Sequence, residues 1–190
     1  EELRGKWMNS DAIIYSVPIY HMTYPAQVKC FIDRLGNSGF GIFTSYWAAG
    51  KEFDTLPKMY KVIGSIAQGI HIFSGQESTI TDFVNHALLM QCIPVAGDMW
   101  EAYIGVGAWT SNDIDRRALE KQVAAGNWDA SLAVKSSKAL GHRVAQMATI
   151  VKAGLLANRE TLEKEPIHKP LFNWLDGKGW AEKVPWEKTA

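Results

Sequence analysis

"DAIIYSVPIYHMTYPAQVKCFIDRLG", residues 11–36, holds the transition that decides the fold. Ala12 to Val17 is a continuous apolar run, and Pro18 stops it. Lack of alternation in so short a run predicts a strand covered on both faces, as in a parallel sheet flanked by helices. Tyr20, His21, Met22 and Tyr24 fill the following loop. From Pro25 the pattern changes: Val28, Phe31, Ile32 and Leu35 fall at i, i+3, i+4 and i+7. Pro25 and Gly36 bracket one amphipathic helix.

Working outward, residues 1–9 read as the polar end of a helix, and 37–59 as a long aromatic, glycine-rich loop with one short helix. Lys61 to Ala67 is a second strand, broken at Gly64, that runs into a glycine-bearing loop. Ile80, Phe83, Val84, Ala87, Leu88 and Cys92 trace a second amphipathic helix, and Ile93 to Ala96 a short third strand weakened by Pro94. Residues 99–127 are irregular except for a helical stretch at Ala118–Ala125. Leu132, Leu140, Val144, Met147 and Val151 then give a long third helix starting at Trp128. The order βαβαβα indicates an α/β domain built on a parallel sheet. That domain is expected over residues 1–154. Residues 155–190 mix charges, prolines and tryptophans, and are expected to dock on the domain or on a neighbouring subunit.

Bulk properties exclude several classes. Twenty basic residues balance twenty acidic ones, so charge does not steer the chain to nucleic acid. No apolar run approaches the roughly 20 residues of a membrane span. Two cysteines, Cys30 and Cys92, are too few to ligate an iron–sulfur cluster, and the five histidines lack metal-ligand spacing, so no metal is expected. The two cysteines read as buried thiols of a reducing, cytoplasmic setting. The eight tryptophans suit either a core or an aromatic ligand pocket or interface.

In doubly wound folds ligands sit beyond the carboxyl ends of the strands. Residues 18–24 follow the first strand and residues 74–77 lie between the second strand and its helix, so both loops open on one edge. Their backbone N–H groups and aromatic side chains suit a flat ring with a polar rim. Two plainer readings stand beside this one. Pro18 and Pro25 shape a βα turn, and Ser74 with Glu77 fits a capping box.

"SDAIIYSVPIYHMTYPAQVKCFIDRLG" and "SGQESTITDF", in this order, resemble the NADPH-dependent FMN reductase and multimeric-flavodoxin superfamily, which includes quinone reductases and iron–sulfur flavoproteins. "GHRVAQMA" is similar to its closing helix, and the resemblance covers roughly residues 8–100. It implies a flavodoxin-like doubly wound parallel sheet that binds FMN and passes electrons from NAD(P)H to a quinone-like or other small aromatic acceptor. An electron-carrier flavodoxin, an iron–sulfur flavoprotein and a flavin-free interaction module are the alternatives. By resemblance, Pro18, Ile19, Tyr20, His21 and Met22 line the flavin ring, while Gln68, Gly69, Gly75, Gln76 and Glu77 meet its pyrimidine side. His21 and Tyr20 are the candidate catalytic residues, with His21 placed for proton donation, and Trp109 is either a lid over the ring or a core residue. Family members are commonly dimers or tetramers, so a homodimer or homotetramer is expected. No Ser/Gly/Asn-rich phosphate loop precedes Asp11. The first strand here is therefore expected to be the third of five in the 2-1-3-4-5 order, with the N-terminal strands and phosphate loop lying outside this sequence.

Overall fold

The structure, a computed structural model, describes residues 2–48 and 58–180. Helix α1 (Glu2–Met8) leads into strand β1 (Ala12–Pro18) and helix α2 (Ala26–Ala48). Strand β2 (Val62–Gly69), helix α3 (Gln76–Leu89) and the short strands β3 (Ile93–Pro94) and β4 (Val106–Trp109) follow. Helices α4 (Ala118–Ala124), α5 (Trp128–Ala157), α6 (Arg159–Leu162) and α7 (Lys169–Leu175) complete the order, with a 3-10 turn at Pro166–His168.

All strand pairs are parallel. β1 runs beside β2 from Ala12 opposite Val62 to Pro18 opposite Gln68. β3 and β4 occupy the other side of β2 in succession, at Val62–Ile63 and at Ile66–Gly69. They act as one interrupted strand, with residues 95–105 looping out between the halves. The described strands thus lie side by side in chain order.

Alternation along the strands divides the core in two. Tyr15, Val17 and Ile63 join Ile32, Leu35 and Phe83 on the α2–α3 side. Val62 and Val106 join Leu140 and Val144 of α5 on the other. Helices thus cover both faces of a parallel sheet, the α/β architecture read from the pattern.

Several local expectations change. β1 is not covered on both faces, because as an edge strand among the described residues it leaves Ile14, Ser16 and Pro18 exposed. α2 does not stop at Gly36 but continues to Ala48, replacing the start of the expected loop. Further along the helix Gly39 packs close to the core, where a Cβ would lie 2.8 Å from the Met90 methyl. Residues 49–57 of that loop lie outside the described residues. α3 ends at Leu89, so Cys92 precedes β3 and is not part of the helix. Cys92 is buried, but Cys30 is exposed, which corrects the expectation of two buried thiols. α5 extends through residues 154 and 155 to Ala157. The segment after it returns to the domain: Ile167, Leu171 and Trp180 join the core with Trp7 and Met8.

Candidate functional site

The loop after β1 is drawn tight. Ile19 donates its N–H to the Gln68 carbonyl (2.8 Å), and Tyr20 and Thr23 exchange backbone hydrogen bonds of 2.8 and 3.2 Å. The turn residues between them, His21 and Met22, both take positive φ, 47° and 69°. A two-residue turn of this hand favours Asn-Gly, and side chains at both positions cost about 1 kcal/mol each. The turn exposes Tyr20, His21 and Met22 together.

The loop after β2 packs against that turn. Gly75 sits at φ 106°, and a Cβ there would stand 2.2 Å from the Met22 carbonyl oxygen. Only glycine permits this approach. The Ser78 hydroxyl lies 3.0 Å from the same oxygen, and Thr23 donates to Asp82 at 3.4 Å. Gly75 is the N-cap of α3, and no side chain caps the helix. The capping-box reading of Ser74 and Glu77 therefore fails. Ser74 Oγ instead donates to the His71 carbonyl (2.7 Å) and accepts from the His71 N–H (3.0 Å).

Gln76 is buried, and its side chain is committed within the protein. Oε1 accepts from Ser74 N–H (3.0 Å), while Nε2 donates to the carbonyls of His71 (2.8 Å) and Ala108 (3.1 Å). It pins the loop to β4. What it still offers a ligand is its backbone N–H, because the first-turn amides of a helix lack intrahelical acceptors.

Beside these loops opens a groove of about 800 Å³. Met22, Ile72 and Phe73 line it from the two loops, Gly75 to Ser78 from the start of α3, and Tyr103, Ile104, Gly107 and Trp109 from the β3–β4 connection and β4. Phe73 is 85% exposed and Tyr103 72%. Among the described lining residues Glu77 and Glu101 are the only charged ones. Apolar faces, free amides and no lining cation suit a neutral, flat, polar-edged ring better than a phosphate.

The ten sequence-predicted residues are brought to one edge of the sheet, but into three places. Met22, Gly75, Gln76 and Glu77 line the groove. Pro18, Ile19, Gln68 and Gly69 cluster at the strand ends. Gln68 faces a second cavity of about 410 Å³ beside Thr110 and residues 115–120. Gly69 is filled over by Ser74, whose Cβ would be 2.5 Å from a Cβ placed on the glycine. Tyr20 and His21 stand on the exposed turn and line neither cavity.

Sequence reasoning missed Ile72, Phe73, Tyr103 and Ile104. It placed Trp109 in a region read as irregular, whereas Trp109 ends β4 and lines the groove. The spacing of Val106 and Ala108 between Gly107 and Trp109 was a faint strand signal. His86, by contrast, is a packing residue: it lies edge-on to Tyr15, and burial lowers its pKa to about 4.

The family model for NADPH-dependent FMN reductase matches residues 1–97. The FMN-dependent NADH:quinone oxidoreductases of Bordetella parapertussis and Bordetella bronchiseptica are each 28% identical over 88 residues, covering 46% of this chain. The match spans 41% of those curated relatives' own length. Among solved structures, a flavodoxin, WrbA-like protein from Agrobacterium tumefaciens is 21% identical with a TM-score of 0.43, covering 72% of this chain and 74% of that one. A flavone reductase structure is 18% identical with a TM-score of 0.41, over 74% of this chain and 47% of the other.

Proposed function

Since the chain belongs to the NADPH-dependent FMN reductase family, we propose that it binds the ring of FMN in the groove between the β1 and β2 loops and the β3–β4 connection, and acts as an NAD(P)H oxidoreductase on a quinone-like or other small aromatic acceptor. The groove itself carries this reading, because it joins apolar faces to unpaired amides at the carboxyl edge of the sheet. FMN, when bound, supplies the hydride-accepting and electron-donating chemistry.

The chain's own residues bind and orient. Met22, Ile72, Phe73 and Trp109 offer apolar surface that excludes water from a ring face. The amides of Gln76, Glu77 and Ser78 open α3, where the helix dipole favours negative charge on a ligand's carbonyl edge. Glu77 and Glu101 repel a phosphate, so they orient that end of the cofactor away from this groove. In this reading Tyr20 and His21, which line neither cavity but are exposed on the turn that carries Met22, deliver a proton to an acceptor that reaches beyond the Met22 rim of the groove.

Exposed Tyr20, Met22, Phe73, Trp100 and Tyr103 gather on this edge, which supports burial against a second copy in a homodimer or homotetramer. Among the described residues no helix is long and apolar enough to cross a membrane. The free, exposed thiol of Cys30 favours a reducing cytoplasm.

The test is to incubate the protein with FMN, remove free flavin by gel filtration, and quantify what denaturation releases. Stoichiometric flavin is expected, and none retained overturns the proposal. NAD(P)H oxidation that depends on added quinone then separates an enzyme from an electron carrier.

A further inference from the structure

At the opposite edge of the sheet, Lys61 immediately precedes β2 and is only 1% exposed. Its Nζ donates to the carbonyls of Met8 (2.8 Å) and Ser10 (2.6 Å). Three indole rings surround it, with centroids at 4.3 Å (Trp174), 4.8 Å (Trp180) and 5.4 Å (Trp7). Trp174 and Trp180 stack on each other, and the Trp180 indole N–H also donates to the Met8 carbonyl at 2.8 Å. The neighbouring Tyr60 contacts His168 Nε2 at 3.3 Å, and His168 Nδ1 lies 3.0 Å from the Leu162 carbonyl. With the Nδ1–H tautomer assigned from that carbonyl, Tyr60 donates to Nε2. Two consecutive residues just ahead of β2 thus hold residues 159–180 to the domain.

Among the described residues no carboxylate is free to balance a charge on Lys61. Asp11, just after α1, is held by Lys152 of α5 at 2.9 and 3.1 Å. The Cys92 thiol, ahead of β3, stays neutral because burial pushes its pKa up to about 12. In the strap, Asp176 is bound by Arg159 and Lys178. Glu165 approaches His168 and not Lys61.

We propose that residues 159–180 form a proton-controlled strap: it is held tightest when Lys61 is a neutral amine and loosens when Lys61 takes up a proton. A neutral amine has two N–H donors, and the cage offers two carbonyls. An ammonium brings a third donor and a full charge to a site where no described carboxylate is free to pair with it. The ring faces offset part of that cost by cation–π attraction but do not replace lost hydration. Burial accordingly lowers the Lys61 pKa to about 7, with Cys92 and then Asp11 opposing and Lys152 reinforcing the shift.

Opening the strap returns Lys61 to water and to an ordinary lysine pKa of about 10.4. The open form then binds more protons than the closed form between those two values. The open-to-closed ratio falls about tenfold per pH unit as pH rises above about 7, and is level below it.

Hydrogen exchange with mass spectrometry on the full chain, corrected for the intrinsic pH dependence of exchange, reads this ratio in the amides of α7. Protection in the wild type is expected to rise about tenfold per pH unit from pH 7 to 9. Lys61→Met removes the titrating group, and Lys61→Arg keeps a charge throughout, so both should lose the slope. Should the methionine variant not fold, the arginine variant decides alone. A flat wild-type profile overturns the proposal. So does a slope that persists in the variants, which would assign the titration to another group.

Discussion

The two edges of the sheet are built from similar residues put to opposite uses. At the amino ends of the strands, Trp7, Trp174 and Trp180 close over a lysine and are packed into the core. At the carboxyl ends, Phe73, Trp100 and Tyr103 stand out in solvent beside a groove. At the amino edge buried aromatics and satisfied carbonyls supply stability. The carboxyl edge carries strain and unburied surface: two left-handed residues in one turn, a glycine seated against a carbonyl, and apolar rings left uncovered. Conformations that cost free energy persist when the surrounding structure fixes them, and they concentrate where ligands bind. The contrast separates an edge that holds the fold from one that, in the proposed reading, receives a ligand or a second copy.

Cutting into the amino edge should give the largest loss of stability and leave the groove intact. Trp180 is 6% exposed and its N–H is satisfied by the Met8 carbonyl. Trp180→Ala removes both the ring and that bond, and is expected to cost about 3 kcal/mol in urea denaturation. Flavin retained per folded protein should not change. If it falls with stability, the two edges are coupled and the division of labour fails.

A smaller loss, with the opposite functional signature, is expected from Gly75→Ala. The added methyl must displace the Met22 carbonyl, and the residue must keep a φ of 106°. Strain of this kind costs about 2 kcal/mol. Because the methyl pushes the two loops apart where they line the groove, flavin retention should be lost at temperatures where the variant is still folded. An alanine variant that binds flavin as well as the wild type would show that the contact between the loops does not shape the site.

What the sequence disclosed follows the same division. Strand β1, the stop at Pro18 and the helical face of α3 were legible because each is a local pattern of apolar residues closed by a breaker. The end of α2 was not. Gly36 reads as a stop, but a mid-helix glycine costs only about 1 kcal/mol, and packing beyond it overrides that preference. The parts of the groove contributed by the 18–24 and 74–77 loops were legible by resemblance. Of its other wall only Trp109 was singled out, as a lid or a core residue, and Tyr103 to Gly107 were missed because they reach the groove through the interruption between β3 and β4. Gln76 was found as a position, but its side chain serves the loop and not a ligand, a distinction set by the distant Ala108 carbonyl. The cage of Lys61 was equally invisible, since its rings come from positions 7, 174 and 180.

The finest test of the contrast changes a residue that stability should not notice. Phe73 is 85% exposed on the groove rim and is absent from both buried core clusters. Its replacement by serine removes no buried contact, so Phe73→Ser should leave stability within about 0.5 kcal/mol of the wild type. If the ring covers a flat aromatic ligand, it supplies about 1 kcal/mol of stacking, and FMN should bind roughly fivefold more weakly. Fluorescence quenching of FMN on titration with protein measures that difference directly. Unchanged affinity together with a shift from oligomer to monomer in gel filtration would give Phe73 to a subunit contact instead. That result would keep the carboxyl edge as the binding edge while replacing the ring of a cofactor with the surface of a second chain.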